Sequence, residues 1–370
     1  MQIGIISMQR VYNYGSFLQA YSLKHILEEM GHTTAFIDIE QTKKEKSISP
    51  QNKLYKLFKK MRKIKYFDQY FFKRIKLSKK NNEMNCMFQA VQKKYFGIDS
   101  THKNFSAQGF NAVVIGSDEI FNCEPHSPWG VTAQRFGDIP DVGITFSYAA
   151  SCGYTSIDDM TAKDEVIIRS ALQKMKKISV RDQNTADFVK YLLNLDPEVN
   201  LDPVFIYGFE KELDEAQRLG VPSYPYMIVY AYHNRIEDLK EIKAIKNYAK
   251  KNSLKTIAIG GSLPWCDEFV VLSPFQVLEY FKKAQCIVTD TFHGSVMAIK
   301  FNKPFAVLVR NNNRNKLDDL LKRLNATEHK VEDTDDLSKI LDKICSYEEA
   351  NKIIVKEKKR AVRYIQSALK

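Results

Sequence analysis

Four short stretches of this chain place polar and charged residues where apolar runs end. They are Asn13-Tyr14-Gly15-Ser16, Gly116-Ser117-Asp118-Glu119, Ser179-Val180-Arg181-Asp182 and Thr289 to Ser295, the last within TDTFHGSVMAIKF. Strand ends of this kind lead into helix N-termini, whose free N–H groups and partial positive charge suit phosphate and carboxylate. In the last stretch His293 can donate a proton or pair with an anion, and Asp290 can fix its tautomer. The amides of Gly294 and Ser295 can hold an oxyanion. Arg181 offers a planar fork for a carboxylate or phosphate. Each stretch also has a structural alternative. Thr289 and Asp290 can cap a helix over a packed His293, Arg181 can pair with Asp182, Asn13 to Ser16 can be a tight turn, and Ser117-Asp118 a cap and turn. The absence of GxGxxG from the turn at 13–16 argues against a dinucleotide there.

The elements that must hold these residues alternate between strand and helix. IGIIS reads as a strand, SFLQAYSLKHILEEMG as a helix with Leu23, Ile26, Leu27 and Met30 on one face and Gly31 as its stop, and TTAFIDI as a second strand. FNAVVIGSD and GITFSYAASCG follow as strands. ISVRD is a short strand before a helix capped near Asn184 or Thr185, and LDPVF closes this half. The charged, then Gly- and Pro-containing run YGFEKELDEAQRLGVPSYP reads as a linker. YMIVYAY, IEDLKEIKAIKNYAKK, KTIAIGG, SPFQVLEYFKKA, QCIVTD and PFAVLVR then repeat the alternation. The expected fold is α/β: two Rossmann-like parallel-sheet domains facing a cleft, over 1–207 and 222–345, with a C-terminal helix over 346–370.

Composition narrows the class. The 370 residues have room for two domains and a sizeable core. The six cysteines are scattered, with no CxxC and no Cys/His pair at metal spacing, so reduced thiols and no structural metal are expected. There is no signal-peptide pattern and no apolar stretch near the ~20 residues of a membrane span, which predicts a cytoplasmic protein. The net charge of +12 is concentrated. Lys43 to Lys80 holds 15 Lys and Arg against Glu45 and Asp68, leaving the remainder close to neutral. This segment, with Leu54, Leu57, Phe58, Met61 and Ile64 or Lys65 on one helical face, reads as a basic helical insertion over about 43–104. Its expected role is either packing on the N-terminal domain or peripheral contact with an anionic membrane. A near-neutral remainder without a nucleic-acid module argues against nucleic acid.

Taken in order, NYGSFLQAYSLKHILEEMGH, VVIGSDEIFN, SYAASCG, ISVRD, LDPVF, VTDTFHGSVMAIKFNKPFAVL and RNKLDDLLKRL resemble the polysaccharide pyruvyl transferase family along most of the chain. The resemblance implies a GT-B-like architecture and transfer of a pyruvyl group from phosphoenolpyruvate to a sugar of a capsule or exopolysaccharide, with no cofactor. It also implies that Arg181 and His293 lie around the donor, with Gly294 and Ser295 at the helix start. Cleft geometry, rather than the resemblance, points to Asp118 or Glu119 on the opposite domain as the base for the acceptor hydroxyl, with Asn13, Tyr14, Gly15, Ser16 and Ser117 on the acceptor side. Asp290 and Thr291 complete the expected donor site. Many members have an arginine where this chain has Thr291, so Lys300, Lys303, Arg310 or Arg314 would have to supply that charge. The rival readings are a glycosyltransferase with a nucleotide-sugar donor and a non-catalytic protein binding anionic lipid or sugar.

Overall fold

A computed structural model of the chain describes residues 1–40, 67–99, 101–124, 130–233 and 235–370. Most of the basic segment, including the helical face read over 54–65, lies outside them. The first half contains β1 (Gln2–Ile6), α1 (Tyr14–Glu29), β2 (Thr33–Phe36), α2 (Phe67–Phe96), β3 (Ala112–Ile115) and β4 (Ile144–Ser147). It continues with α3 (Ala162–Leu172), β5 (Ser179–Val180), α4 (Gln183–Leu193), β6 (Glu198–Val199) and α5 (Pro203–Ile206). Strand order is β2-β1-β3-β4, all parallel, and single bridges from Phe146 to Lys177 and from Ala150 to Val180 extend this sheet to the β5-β6 pair.

The stretch read as a linker is itself helical over α6 (Glu210–Gln217). It is tied down where Tyr21 and Tyr207 both donate to Glu212, at 2.6 and 3.1 Å. After it come β7 (Tyr226–Ala231), α7 (Leu239–Lys251), β8 (Lys255–Gly260), β9 (Glu268–Phe269) and α8 (Pro274–Lys283). The chain ends with β10 (Cys286–Thr289), α9 (Phe292–Lys300), β11 (Phe305–Leu308), α10 (Arg314–Arg323), β12 (Lys330–Val331), α11 (Leu337–Asp342) and α12 (Glu348–Leu369). The second sheet is parallel, ordered β12-β11-β10-β7-β8-β9. In order of appearance that is 6-5-4-1-2-3, the doubly wound order with its switch point between β7 and β10. In the first sheet the order reverses between β1 and β3. Ligand crevices of open α/β sheets lie at such points, beyond the carboxyl ends of the strands. Residues 7–13, 116–119 and 289–293 occupy those ends.

The central strands are buried on both faces, as parallel strands covered by helices require: every residue of β3, β7, β10 and β11 is buried. The last helix does not stay with the second sheet. Ala361, Tyr364, Ile365 and Ala368 form a buried stripe, and Tyr364 donates to the carbonyl of Ser147 at 2.8 Å, fixing α12 on the first sheet. Burial of the two large side chains contributes about 1.5–3 kcal/mol each. Helix α2 also spans both halves: Gln92 donates to the Gln9 carbonyl at 2.9 Å, and Lys80 donates to that of Phe269.

Candidate active site

The four polar stretches converge on one point between the sheets. Asn13 caps α1 by accepting from the amides of Gly15 (2.7 Å) and Ser16 (3.4 Å). Ser16 Oγ donates to Asp118 at 2.6 Å, Asp118 lies 3.9 Å from Arg181 Nη1, and the Arg181 guanidinium stacks 4.1 Å above the Phe292 ring. His293 follows Phe292 and rests on Gly15. A Cβ added to Gly15 would lie 2.7 Å from that of His293 and closer still to its ring, so a glycine is required at that contact. The first turn of α9 from the second half thus closes on α1 and β5 of the first.

At the centre sits a residue the motif reading did not single out. Asp202 caps α5, accepting from the Val204 amide at 3.0 Å. Its Oδ2 accepts from Arg181 Nη1 at 2.9 Å and from Ser117 Oγ at 3.3 Å, and lies 3.3 Å from His293 Nε2. Burial alone would push this carboxyl up; the His293 ring and the Arg181 guanidinium outweigh that and hold it down at about 2. Arg181 is 2 % exposed, and its Nε and Nη2 have no protein acceptor. His293 Nε2, although near Asp202, also makes no hydrogen bond. Three donor or acceptor positions are therefore buried and uncommitted within one small volume, against the general rule that such groups are satisfied. The LDPVF run carried a signal for Asp202, an acid immediately before a proline that begins a helix.

Several expected donor and acceptor residues have other work. Asp290 does not orient His293; it is fully buried, accepts from Arg235 Nε at 2.9 Å and lies 3.5 Å from Arg310 Nε, so the carboxylate beside the imidazole is Asp202. Thr291 is the cap of α9: its hydroxyl accepts from the Gly294 amide at 2.9 Å, and the Ser295 amide donates to the Thr291 carbonyl at 3.3 Å. The two amides expected to hold an oxyanion are thus committed within the helix. Gly294 is needed because a Cβ there would lie 2.7 Å from Thr289 Cβ. Tyr14 is buried with its hydroxyl on the Leu272 carbonyl at 2.9 Å, so it joins the halves rather than facing an acceptor. Ser117 is likewise buried on Asp202. The helix after β5 is capped by Asp182, not by Asn184 or Thr185: its Oδ1 accepts from the Thr185 amide at 2.9 Å.

Of the two candidate bases, Asp118 has the freer carboxylate. Its backbone is left-handed, φ 75°, a conformation uncommon outside glycine that presents the side chain at the end of β3. Glu119 is paired with Lys316 of α10 and accepts from Asn122 at 3.0 Å. Burial works upward on Glu119, and Lys316 and Asn122 outweigh it and hold its carboxyl at about 2. Two of the basic residues expected to stand in for an arginine at 291 are engaged by other partners. Lys300 donates to the Tyr207 carbonyl at 2.8 Å and Arg310 is held by both oxygens of Glu241, at 2.6 and 2.8 Å. Lys316 and Arg235, which the motifs did not single out, are the cations that pair with Glu119 and Asp290. One set of metal-type ligands exists among the described residues: Glu328, His329 and Cys345 bring ligand atoms within 4.8 Å of one another. The His329 ring is already engaged, Nδ1 with the Phe305 carbonyl at 2.9 Å and Nε2 with the Tyr347 hydroxyl at 3.3 Å.

The arrangement can hold an anion at Arg181, move a proton through His293 and accept one at Asp118. Among solved structures, UDP-GlcNAc 2-epimerase from Methanocaldococcus jannaschii is similar over 99% of this chain and 100% of its own, with a TM-score of 0.51 and 13% identity. Arabidopsis thaliana UGT89C1, complexed with quercetin, is similar over 100% of this chain and 99% of its own, with a TM-score of 0.51 and 11% identity. These likenesses identify a GT-B-type fold. No curated protein matches the chain in sequence. The sequence pattern described as polysaccharide pyruvyl transferase matches residues 13–312, from the cap of α1 to the loop after β11, and the chain belongs to that family.

Proposed function

We propose that the protein transfers a pyruvyl group from phosphoenolpyruvate to a pair of sugar hydroxyls, forming a cyclic ketal during assembly of a cell-surface polysaccharide. The observation that carries this reading is the buried Arg181, with Nε and Nη2 unpaired beside the uncommitted Nε2 of His293. An anion with two acidic groups suits the first, and a carbon that must be protonated suits the second. Arg181 holds the donor anion, and stacking on Phe292 with the bond to Asp202 keeps its fork in one orientation. The His293 ring rests on Gly15 with Nε2 3.3 Å from Asp202.

In this scheme His293 delivers a proton to C3 of the donor, making a methyl group and leaving C2 electrophilic. Asp118 takes the proton of the first sugar hydroxyl as its oxygen bonds to C2. The C2–O bond to phosphate then breaks, and phosphate leaves with the bridging oxygen. The second hydroxyl adds to C2, and its proton leaves with the phosphate. Once Asp118 has released its proton to solvent and His293 has regained one, the net result is one proton on C3 and one on phosphate, matching the two lost by the diol. Thr291 serves as a helix cap, so the donor's charge falls mainly on Arg181.

Incubating the protein with candidate sugars and either phosphoenolpyruvate or a nucleotide sugar separates the two transferase readings. Inorganic phosphate released only with the first donor, together with a pyruvylated sugar by mass, is the expected result. Transfer from the nucleotide sugar alone would overturn it.

A further inference from the structure

Between the loop after β1 and helix α2 lies a cavity of about 510 Å³, lined in part by Arg10, Tyr12, Gln89, Lys93 and Lys103. That is within the roughly 300–1,000 Å³ of small-ligand sites. A second cavity, of about 220 Å³, shares Arg10 and Lys103 with it and reaches Ser7. Ser7 Oγ donates to the Ser117 carbonyl at 3.2 Å, one residue from Asp118, and Tyr12 directly precedes Asn13, the cap of the helix on which His293 rests. Neither cavity is lined by Arg181 or His293.

The lining has the chemistry of a sugar site. The Tyr12 ring stacks on buried Phe88 with centroids 5.9 Å apart and planes 2° from parallel, so one face is fixed. Tyr12 remains 38 % exposed, and the face away from Phe88 is a flat platform for the C–H face of a pyranose. Gln89 and Lys93 lie one turn apart on α2, on the same side of the helix. Arg10 is locked by both oxygens of Asp38 and by the carbonyls of Asp99 and His102, each at 2.8 Å. The Asp99 carboxylate is turned into its own loop, accepting from the Thr101 amide at 2.7 Å. Lys93 and Lys103 are exposed, and among the described residues neither makes an ion pair. The cavity therefore combines an aromatic platform, an amide and two exposed ammonium groups, with the Asp99 carboxylate also on its lining.

We propose that this cavity binds an anionic saccharide, with its ring on Tyr12 and its phosphate or carboxylate between Lys93 and Lys103, as part of the acceptor. This assignment rests on the reading of the protein as a transferase to sugar. It is tested by calorimetry and saturation-transfer NMR with glucose 1-phosphate, glucuronate, glucose and inorganic phosphate. Glucose 1-phosphate, glucuronate or both should bind at least about tenfold more tightly than glucose, and which of them does so identifies the anion. Tyr12→Ala should weaken the binding of that sugar at least about tenfold, and Lys93→Gln with Lys103→Gln should abolish its preference over glucose. Melting curves establish that the variants remain folded. Equal affinity for the three sugars, unchanged binding in folded Tyr12→Ala, or inorganic phosphate binding as tightly as glucose 1-phosphate would overturn the proposal. Phosphoenolpyruvate binding, measured separately on the wild type, tests the transfer reading. Its failure with sugar-anion binding intact would sink that reading and leave the cavity as a saccharide site.

Discussion

Gly15 at the start of α1 and His293 at the start of α9 touch across the two sheets, with no room for a methyl group between them. The contact aligns the imidazole of one half with the acids of the other. Gly15→Ala should push the ring out of line, lowering turnover on the order of a hundredfold, because displacements near 1 Å have effects of that size. The strain should cost about 1–3 kcal/mol of stability. Single-turnover rates and melting curves check this; unchanged turnover in the alanine variant would mean that His293 is not positioned by this contact.

Arg181→Lys keeps the charge and loses the fork. The Lys side chain can replace neither the bond to Asp202 nor the two uncommitted N–H groups in their present plane. Donor affinity should fall by about ten- to a hundredfold, the equivalent of about 1.5–3 kcal/mol. Direct titration with phosphoenolpyruvate measures it, and an unchanged dissociation constant would make Arg181 a structural residue only.

Asp202 links stability to acid. Its carboxyl is held at about 2 in the fold, below its ordinary 3.8, so its contribution is present above about pH 4 and is lost as pH falls toward 2. Asp202→Ala should cost about 3–5 kcal/mol at neutral pH by leaving Arg181 buried without its partner. Melting temperature against pH should fall less steeply between pH 4 and 2 in Asp202→Asn than in the wild type. Identical slopes would show that Asp202 is not the group responsible.

Lys300 predicts the opposite limb. Burial lowers its ammonium to about 8, with Lys358 adding to the effect. The folded chain therefore binds fewer protons than the unfolded chain between pH 8 and the ordinary 10.5, and stability at this group rises with pH through that window. The difference in unfolding free energy between the wild type and Lys300→Met should change across this interval and be flat below it. A difference independent of pH would contradict the assignment.

The alternation of strands and helices was legible because parallel strands are uniformly apolar and their helices carry clear stops, as at Gly31, where φ is 84°. The strand-end rule also located Arg181, Asp118 and His293, since it depends on chain order alone. What it does not determine is where a side chain points once the strand ends. Asp290 and His293 are three residues apart, yet one pairs with Arg235 and the other faces Asp202, 91 positions earlier in the chain. The role of Asp202 depends on the closure of two halves, which no local pattern encodes. Capping likewise took Thr291, Gly294 and Ser295 out of the expected anion site, because the first amides of α9 are satisfied by its own cap.

The most direct test of the central claim, that His293 protonates C3 of phosphoenolpyruvate, is transfer carried out in D₂O with mass and NMR analysis of the product. The account predicts one deuterium in the methyl group of each pyruvyl ketal, and no product from a His293→Ala variant that melts like the wild type. A methyl group without solvent deuterium, or a folded His293→Ala variant that makes the ketal at the wild-type rate, would contradict it.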